Sequence, residues 1–192
     1  MQEMNIALFA SGTGSNVYNI IQYFKANDLI SIVAVLSNKE KAGALKHAKD
    51  ENISTLTFSK EEFRSSIKVE EFLAEKKVDL VVLAGFLLRV PETLLDLYPN
   101  KIINVHPALL PNYGGKGMYG MHVHNAVIAA KEKKSGITIH LVNEKYDDGA
   151  AIAQFECSLS ESDSAKGLAE KISILEKSHF PKTIEEYISK IK

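Results

Sequence analysis

Residues Lys101 to Pro111 read Lys-Ile-Ile-Asn-Val-His-Pro-Ala-Leu-Leu-Pro, an apolar strand that stops at a proline. Alternate side chains of a strand share one face, so Asn104 and His106 point the same way, about 7 Å apart. Ligands of an open α/β sheet collect outside the carboxyl ends of its strands, where this pair stands. A histidine at a strand end is more often structural than catalytic, but an amide beside an imidazole suits chemistry that builds charge on a carbonyl oxygen.

The rest of the sequence alternates apolar runs with helical patterns, which is typical of an α/β fold. The predicted strands are 5–10, 31–36, 53–58, 79–84, 101–106, 136–143 and 150–159, and the predicted helices are 17–25, 41–51, 60–76, 163–177 and 181–190. Ser59 and Glu62 would form a capping box before the third helix. We expect a mostly parallel, Rossmann-like open sheet with helices on both faces and an antiparallel C-terminal strand pair, in a single domain over residues 1–192.

The composition excludes some classes of function but does not identify the function. The chain has 192 residues, is 45% hydrophobic and carries a net charge of −1, so no basic surface is expected to hold nucleic acid. No apolar run is long enough for a membrane span and no leader pattern precedes the first strand, so we expect a cytoplasmic protein, as a monomer or a homodimer. The single cysteine, Cys157, excludes an internal disulfide and a multi-cysteine metal site, and no metal is expected.

A glycine-containing loop, Ser11-Gly12-Thr13-Gly14-Ser15-Asn16, joins the first strand to the first helix. This layout presents backbone N–H groups to an anion, and Ser15 or Asn16 is expected to cap the helix. The loop lacks the third glycine of a dinucleotide fingerprint, where Val17 stands, and also the lysine of a nucleotide P-loop. A single phosphate group fits what remains, and a tight turn that binds nothing is the open alternative.

Two further segments follow predicted strands at the same edge of the sheet. The apolar loop Phe86 to Val90 would line a pocket for a flat ligand or pack into the core. The glycine-rich stretch Gly114 to Gly120 would be a lid or a long connection. His122 and His124, two positions apart at a helix start, would splay apart and form no metal pair.

Four spaced motifs make the chain similar to the folate-dependent formyltransferases. They are Ser11-Gly12-Thr13-Gly14-Ser15-Asn16, Leu83-Ala84-Gly85-Phe86, Asn104-Val105-His106-Pro107-Ala108-Leu109-Leu110-Pro111, and His140 with Asp147-Asp148-Gly149 before Gln154. The resemblance spans nearly the whole chain. It implies transfer of a formyl group from the co-substrate 10-formyltetrahydrofolate to the primary amine of 5'-phosphoribosylglycinamide, in purine biosynthesis. The alternative is a formyltetrahydrofolate deformylase, a hydrolase with the same Asn, His and Asp set.

The same resemblance implies the site residues. The catalytic set would be Asn104, His106 and Asp147. The amine substrate would be bound by Gly14, Ser15, Asn16, Ser173, Ile174, Leu175 and Glu176. The folate would be bound by Lys60, Leu87, Leu88, Arg89, Val90, Asn104, Asn143, Glu144, Lys145, Tyr146 and Asp147. The family usually has Asp-Gly-Gly where this chain has Asp147-Asp148-Gly149, so which acid faces His106 stays open, although alignment with Tyr146 favours Asp147.

The chemistry implied by the resemblance agrees with these residue types. The nucleophile would be the substrate's own amine, so no reactive cysteine or serine is required. Attack on the formyl carbon creates an oxyanion, to which the Asn104 amide and a protonated His106 would donate. One such donor contributes about 3 kcal/mol to transition-state stabilisation in other acyl-transfer enzymes. A carboxylate at Asp147 would stabilise the imidazolium and help to relay the amine proton to the departing folate nitrogen.

Overall fold

The computed structural model describes residues 3–191, and it contains the seven predicted strands together with a helix over Glu92–Leu97 that the sequence did not predict. The strands are β1 Met4–Phe9, β2 Ile30–Ser37, β3 Ser54–Thr57, β4 Leu80–Leu83, β5 Ile102–His106, β6 Lys134–Leu141 and β7 Ala151–Ser158. The helices are α1 Ser15–Phe24, α2 Gly43–Asp50, α3 Lys60–Ser65, α4 Ile67–Glu75, α5 Glu92–Leu97, α6 Met121–Ala129 and α7 Ala165–Ile191. The strands form a seven-stranded sheet in the order β3-β2-β1-β4-β5-β6-β7.

The predicted fold class is confirmed. Strand β1 pairs in parallel with β2 and β4, β2 pairs in parallel with β3, and β6 and β7 form the antiparallel C-terminal pair. The chain divides into two compact units, one ending at Ile103 and the other beginning at Asn104. The prediction of one domain over residues 1–192 stays a prediction. Within residues 3–191, no helix combines the length and the apolar character that crossing a membrane requires.

The core of the first unit surrounds β1. Ile6, Ala7 and Leu8 are fully buried, as expected of a parallel strand with neighbours on both edges and cover on both faces. Phe9 continues this core through ring contacts with Phe58, Phe63 and Phe86, whose centroids lie 5.4 to 6.2 Å from its own. The aromatic cluster therefore ties the loop after β4 to the first strand.

The start of α1 differs from the prediction. Gly14 is the N-cap residue, and no side chain caps this helix, so the expected cap by Ser15 or Asn16 is wrong. Gly14 has a φ of 80°, and a Cβ there would lie 2.4 Å from the Cα of Ala44. Only glycine allows both this left-handed backbone and this close approach of α2.

The predicted helix over 60–76 is two helices, α3 and α4. The capping box of Ser59 and Glu62 is confirmed, but the chain breaks at Ser66, which has a φ of 59°. The Ser66 hydroxyl is bonded to the Glu70 carboxylate and lies 2.6 Å from the Thr93 hydroxyl. Serine favours such local side-chain bonds over a helix interior, which gives a physical reason for the break.

The second unit contains β6, β7 and the long helix α7. The predicted helices 163–177 and 181–190 are one continuous helix, with Pro181 inside it. A proline in a helix interior costs about 3 kcal/mol, because it removes one hydrogen bond and crowds the preceding turn. Here Phe180 and Ile184 on either side of Pro181 are fully buried, so packing of this face holds the helix together.

Candidate active site

Side chains from β5, β6 and the loop after β6 meet in the second unit. His106 is the last residue of β5 and is almost fully buried, while Asn104, two positions earlier, is half-buried. Asn104 contacts His140 of β6, and both His106 and His140 lie close to Asp147. The structure therefore brings together the three residues that the sequence analysis named as a catalytic set.

Both ring nitrogens of His106 face oxygen atoms. Nε2 donates a hydrogen bond to the carbonyl oxygen of Tyr113 at 2.8 Å, because a carbonyl oxygen can only accept. Nδ1 lies 3.5 Å from Oδ1 of Asp147. When both nitrogens carry protons, the charged ring has an acceptor on each side, so this arrangement is suited to an imidazolium.

The carboxylate of Asp147 is fixed from the glycine-rich stretch. Its Oδ2 accepts a hydrogen bond from the backbone N–H of Gly115 at 2.8 Å. A Cβ on Gly114 would lie 3.2 Å from the Cβ of Asp147, so the loop approaches the acid closely enough to favour glycine. The first part of the glycine-rich stretch thus contacts Asp147, and its neighbour Tyr113 contacts His106.

The two adjacent acids of the late loop have different surroundings. Asp147 has a φ of 54°, and its side chain is 12% exposed and faces both site histidines. Asp148 is exposed, accepts a bond from Nδ2 of Asn143 at 3.4 Å and lies 3.9 Å from Nζ of Lys145. Asp147, rather than Asp148, is therefore the acid next to His106.

His140 connects Asn104 to this group. Its Nδ1 donates to the carbonyl oxygen of Leu141 at 2.8 Å, and its Nε2 lies 3.0 Å from Nδ2 of Asn104. Burial lowers the pKa of His140, against the opposing effects of the Leu141 carbonyl and the Asp147 carboxylate. In the sequence, His140 belongs to one of the four motifs, and the alternation of β6 puts it on one face with Thr138.

Thr138 holds the segment that follows β5. Its hydroxyl donates to the carbonyl oxygen of Ala108 at 2.7 Å and accepts from the N–H of Leu110 at 2.9 Å. Gln154 of β7 donates to the same hydroxyl and to the carbonyl oxygen of Leu110, at 2.9 Å each. These bonds fix the backbone immediately after His106, and neither Thr138 nor Gln154 was predicted to have this role.

A further histidine, His124 of α6, is buried near the site. Its Nδ1 is buried without a hydrogen-bond partner among residues 3–191. Burial lowers the pKa of His124, and the charge of His106 lowers it further. His122 is exposed on the same helix. In the described part of the chain, no group of three or more His, Cys, Asp or Glu side chains is arranged to hold a metal ion.

In the first unit, Ser11 joins the carboxyl ends of three parallel strands. Its hydroxyl donates to Oδ1 of Asn38 after β2 at 2.7 Å and accepts from the N–H of Leu87 at 3.1 Å. Its backbone N–H donates to the carbonyl oxygen of Gly85 at 3.0 Å. These bonds hold the start of the predicted phosphate loop against the loop that follows β4.

The remaining predicted binding residues lie in four places. Leu87 and Arg89 are exposed and Leu88 is half-buried, whereas Val90 is buried and lines a small apolar cavity of the core. Lys60 is the exposed first residue of α3. In the second unit, Asn143 is half-buried, and Glu144, Lys145 and Tyr146 are exposed. Ser173, Leu175 and Glu176 are half-buried on α7, and Ile174 is exposed there.

The chain resembles known proteins over nearly its whole length. A family model described as formyl transferase matches residues 4–184. The chain is 36% identical over 173 residues to a chloroplastic phosphoribosylglycinamide formyltransferase of Arabidopsis thaliana, a match covering 87% of this chain and 59% of that relative. It is 32% identical over 187 residues to the phosphoribosylglycinamide formyltransferase of Bacillus subtilis, covering 95% of this chain and 93% of that one.

Solved structures of phosphoribosylglycinamide formyltransferases are also similar to this chain over most of its length. A crystal structure of phosphoribosylglycinamide formyltransferase from Bacillus halodurans superposes with a TM-score of 0.89 at 35% identity, covering 98% of this chain and 97% of that chain. The corresponding structure from Anaplasma phagocytophilum has a TM-score of 0.87 at 30% identity, covering 96% of this chain and 86% of that one. By contrast, the chain spans only 59% and 57% of the lengths of the Arabidopsis and Vigna unguiculata relatives.

Proposed function

Because the chain belongs to the formyl transferase family, we propose that it transfers a formyl group from 10-formyltetrahydrofolate to the primary amine of 5'-phosphoribosylglycinamide. The product would be formylglycinamide ribonucleotide, an intermediate of purine biosynthesis. The observation that carries the proposal is the grouping of Asn104, His106 and Asp147 at the end of β5. An amide donor, an imidazole and a carboxylate fit a reaction that places negative charge on a formyl oxygen.

In the proposed reaction, the substrate amine attacks the formyl carbon and a new C–N bond forms. The formyl oxygen becomes an oxyanion, which accepts hydrogen bonds from Asn104 and from protonated His106. Each donor contributes about 3 kcal/mol of transition-state stabilisation, by comparison with other oxyanion sites. The C–N bond to the folate then breaks, and the proton lost by the amine passes to the folate nitrogen, with Asp147 or a water that it holds as relay.

The contacts of His106 indicate which interaction must change for this step. Its Nδ1 faces Asp147, which stabilises the charged ring, and its Nε2 donates to the carbonyl oxygen of Tyr113. We propose that the formyl oxygen replaces the Tyr113 carbonyl as the acceptor for Nε2. Asp147 can then keep its place beside Nδ1 throughout the reaction.

The start of α1 fits a phosphate group. The helix has Gly14 as its N-cap and no side-chain cap there, and the first turn of a helix is where backbone N–H groups bind an anion. Gly14 is buried, whereas Ser15, the first residue of the helix, is exposed. We therefore propose that Gly14, Ser15 and Asn16 bind the phosphate of the amine substrate, with a contribution from Ser173, Ile174, Leu175 and Glu176.

The proposed folate contacts remain those implied by the resemblance. The exposed Leu87 and Arg89 and the exposed residues Glu144, Lys145 and Tyr146 present apolar and charged groups to a ligand. Lys60 would contribute a positive charge at the start of α3. The proposal needs no nucleic-acid or membrane partner, agrees with the cytoplasmic location predicted from the sequence, and is the same for a monomer or a homodimer.

The second candidate is hydrolysis of 10-formyltetrahydrofolate, because water could replace the amine at the same three side chains. The two reactions separate in one assay of tetrahydrofolate release, with and without phosphoribosylglycinamide. We expect release that depends on the amine and is matched by formation of formylated product. Release at the same rate without the amine would instead support the hydrolase.

A further inference from the structure

The geometry points to His140 as a positioning residue, one that fixes the orientation of the Asn104 amide through a single tautomer of its ring. This inference rests on the proposed formyl transfer, in which Asn104 donates to the oxyanion. An asparagine amide has donors on one arm and an acceptor on the other, and the two arms have nearly the same shape. Only hydrogen bonding can therefore decide which arm points where.

The tautomer of His140 follows from its contacts. Nδ1 lies 2.8 Å from the carbonyl oxygen of Leu141, which can only accept, so Nδ1 carries the proton. A neutral ring protonated at Nδ1 has a lone pair at Nε2. Because Nε2 lies 3.0 Å from the Asn104 side chain, the arm of Asn104 that points there must be a donor.

The hydrogen bond to His140 fixes the orientation of the whole Asn104 amide. One N–H of Nδ2 is bound by His140, which leaves the second N–H and Oδ1 to face other partners. If the amide turned over, Oδ1 would meet the lone pair of Nε2, and the hydrogen bond would become a repulsion. His140 therefore keeps an N–H donor, rather than an oxygen, available for the developing oxyanion.

The neutral state of His140 also preserves the contact between Asp147 and His106. Nε2 of His140 lies 3.8 Å from Oδ1 of Asp147, the same oxygen that lies 3.5 Å from His106. A proton on Nε2 would direct it to this carboxylate and release Asn104. His140 is only 2% exposed, and burial lowers its pKa, although Asp147 acts in the opposite direction. Because burial favours the neutral ring of His140, the Asp147 carboxylate stays available to His106.

Steady-state kinetics of the full chain test this role. His140→Leu keeps a buried apolar side chain but removes the acceptor, and His140→Gln can offer Oε1 near the former position of Nε2. We expect His140→Leu to lower kcat about 20-fold with both KM values within about twofold of wild type, since the lost interaction acts in the transition state. We expect His140→Gln to recover kcat to within about fivefold of wild type.

A double-mutant cycle separates positioning from a general structural role. If His140 acts through Asn104, adding His140→Leu to Asn104→Ala should lower kcat by less than about twofold beyond the single Asn104→Ala change. Losses that multiply in the double variant would overturn the inference, as would equal kcat values for the Leu variant, the Gln variant and wild type.

The tautomer itself can be measured without activity or substitution. Long-range proton–nitrogen NMR of the wild-type histidine rings at about pH 7.5 should show His140 neutral and protonated at Nδ1. Protonation at Nε2 would overturn the inference, because Nε2 could not then accept from Asn104. The NMR measurement tests the arrangement of His140 independently of the proposed function. The proposed function is tested separately, because wild-type protein that does not transfer a formyl group would contradict it.

Discussion

Oδ1 of Asp147 lies 3.5 Å from Nδ1 of His106, and Oδ2 of the same carboxylate accepts a hydrogen bond from the N–H of Gly115. The acid is therefore held between the proposed proton donor and the glycine-rich stretch. Its neighbour in the sequence, Asp148, is exposed and pairs instead with Lys145 and Asn143. This difference separates two acids that the sequence alone leaves adjacent and equivalent in charge.

Asp147→Asn is expected to lower kcat about 100-fold, because the amide keeps the shape of the side chain but removes the charge that stabilises the His106 imidazolium. Asp148→Asn is the matched control: it makes the same chemical change one residue away and should alter kcat by less than about twofold. Formyl-transfer kinetics of both variants give the comparison. The reverse order of effects would assign the catalytic position to Asp148.

His106→Ala is expected to lower kcat at least about 100-fold, since it removes a charged donor to the oxyanion. Binding of phosphoribosylglycinamide, measured by calorimetry, should stay within about threefold of wild type, because the ring is proposed to act on the formyl group. His122→Ala removes an exposed histidine of α6 and serves as control. Wild-type turnover in His106→Ala would exclude the proposed donor role.

The sequence was sufficient to predict Asn104 and His106 together at the end of β5, because the side chains of a strand alternate and the proline after His106 ends the strand. For the choice between Asp147 and Asp148, the sequence offered only the alignment with Tyr146, which favoured Asp147, and no physical reason. That choice depends on the φ of 54° at Asp147, a backbone conformation that either residue could adopt. It also depends on contacts from Gly114 and Gly115, which are distant in sequence from the acids.

At two helix boundaries, the local sequence was likewise insufficient to predict the structure. Ser66 breaks the predicted helix over 60–76 through bonds to Glu70 and Thr93, and the contact with Thr93 is not visible in local sequence. Pro181 is a helix-breaking signal, yet α7 continues because the residues around it are buried. Tertiary packing overrode local preference in both places, whereas the strongly apolar strands β1 and β4 were predicted to within two residues at each end.

Gly114→Ala is expected to lower kcat about tenfold, because the new Cβ would lie 2.6 Å from Cδ2 of Leu110 and 3.2 Å from the Cβ of Asp147. The Leu110 side chain can move aside, but Asp147 and the loop must separate by a few tenths of an ångström, which we expect to weaken the bond from Gly115 to the carboxylate. Gly167→Ala in α7 is the matched control, since its Cβ would come no closer than 3.5 Å to any neighbour. Equal kcat values for the two variants would show that the loop does not position Asp147.

The buried histidines His124 and His140 should make the protein less stable in mild acid. Burial lowers both folded-state pKa values below the unfolded value of about 6.5. Well above pH 6.5 both rings are neutral in either state and contribute nothing to the pH dependence. As the pH falls through about 6.5, the unfolded chain binds protons that the folded protein does not, so the free energy of unfolding falls.

The slope of this decline reports the number of histidines involved. Each contributes up to about 1.4 kcal/mol per pH unit, between the unfolded pKa and its own lowered value. Urea denaturation at several pH values from about 8 to about 5.5 measures the slope above the range in which most carboxylates titrate. His124→Gln and His140→Gln should each remove about one proton's share of the slope. The exposed control His122→Gln should leave the slope unchanged, and an unaltered slope in both buried variants would mean that other groups cause the acid sensitivity.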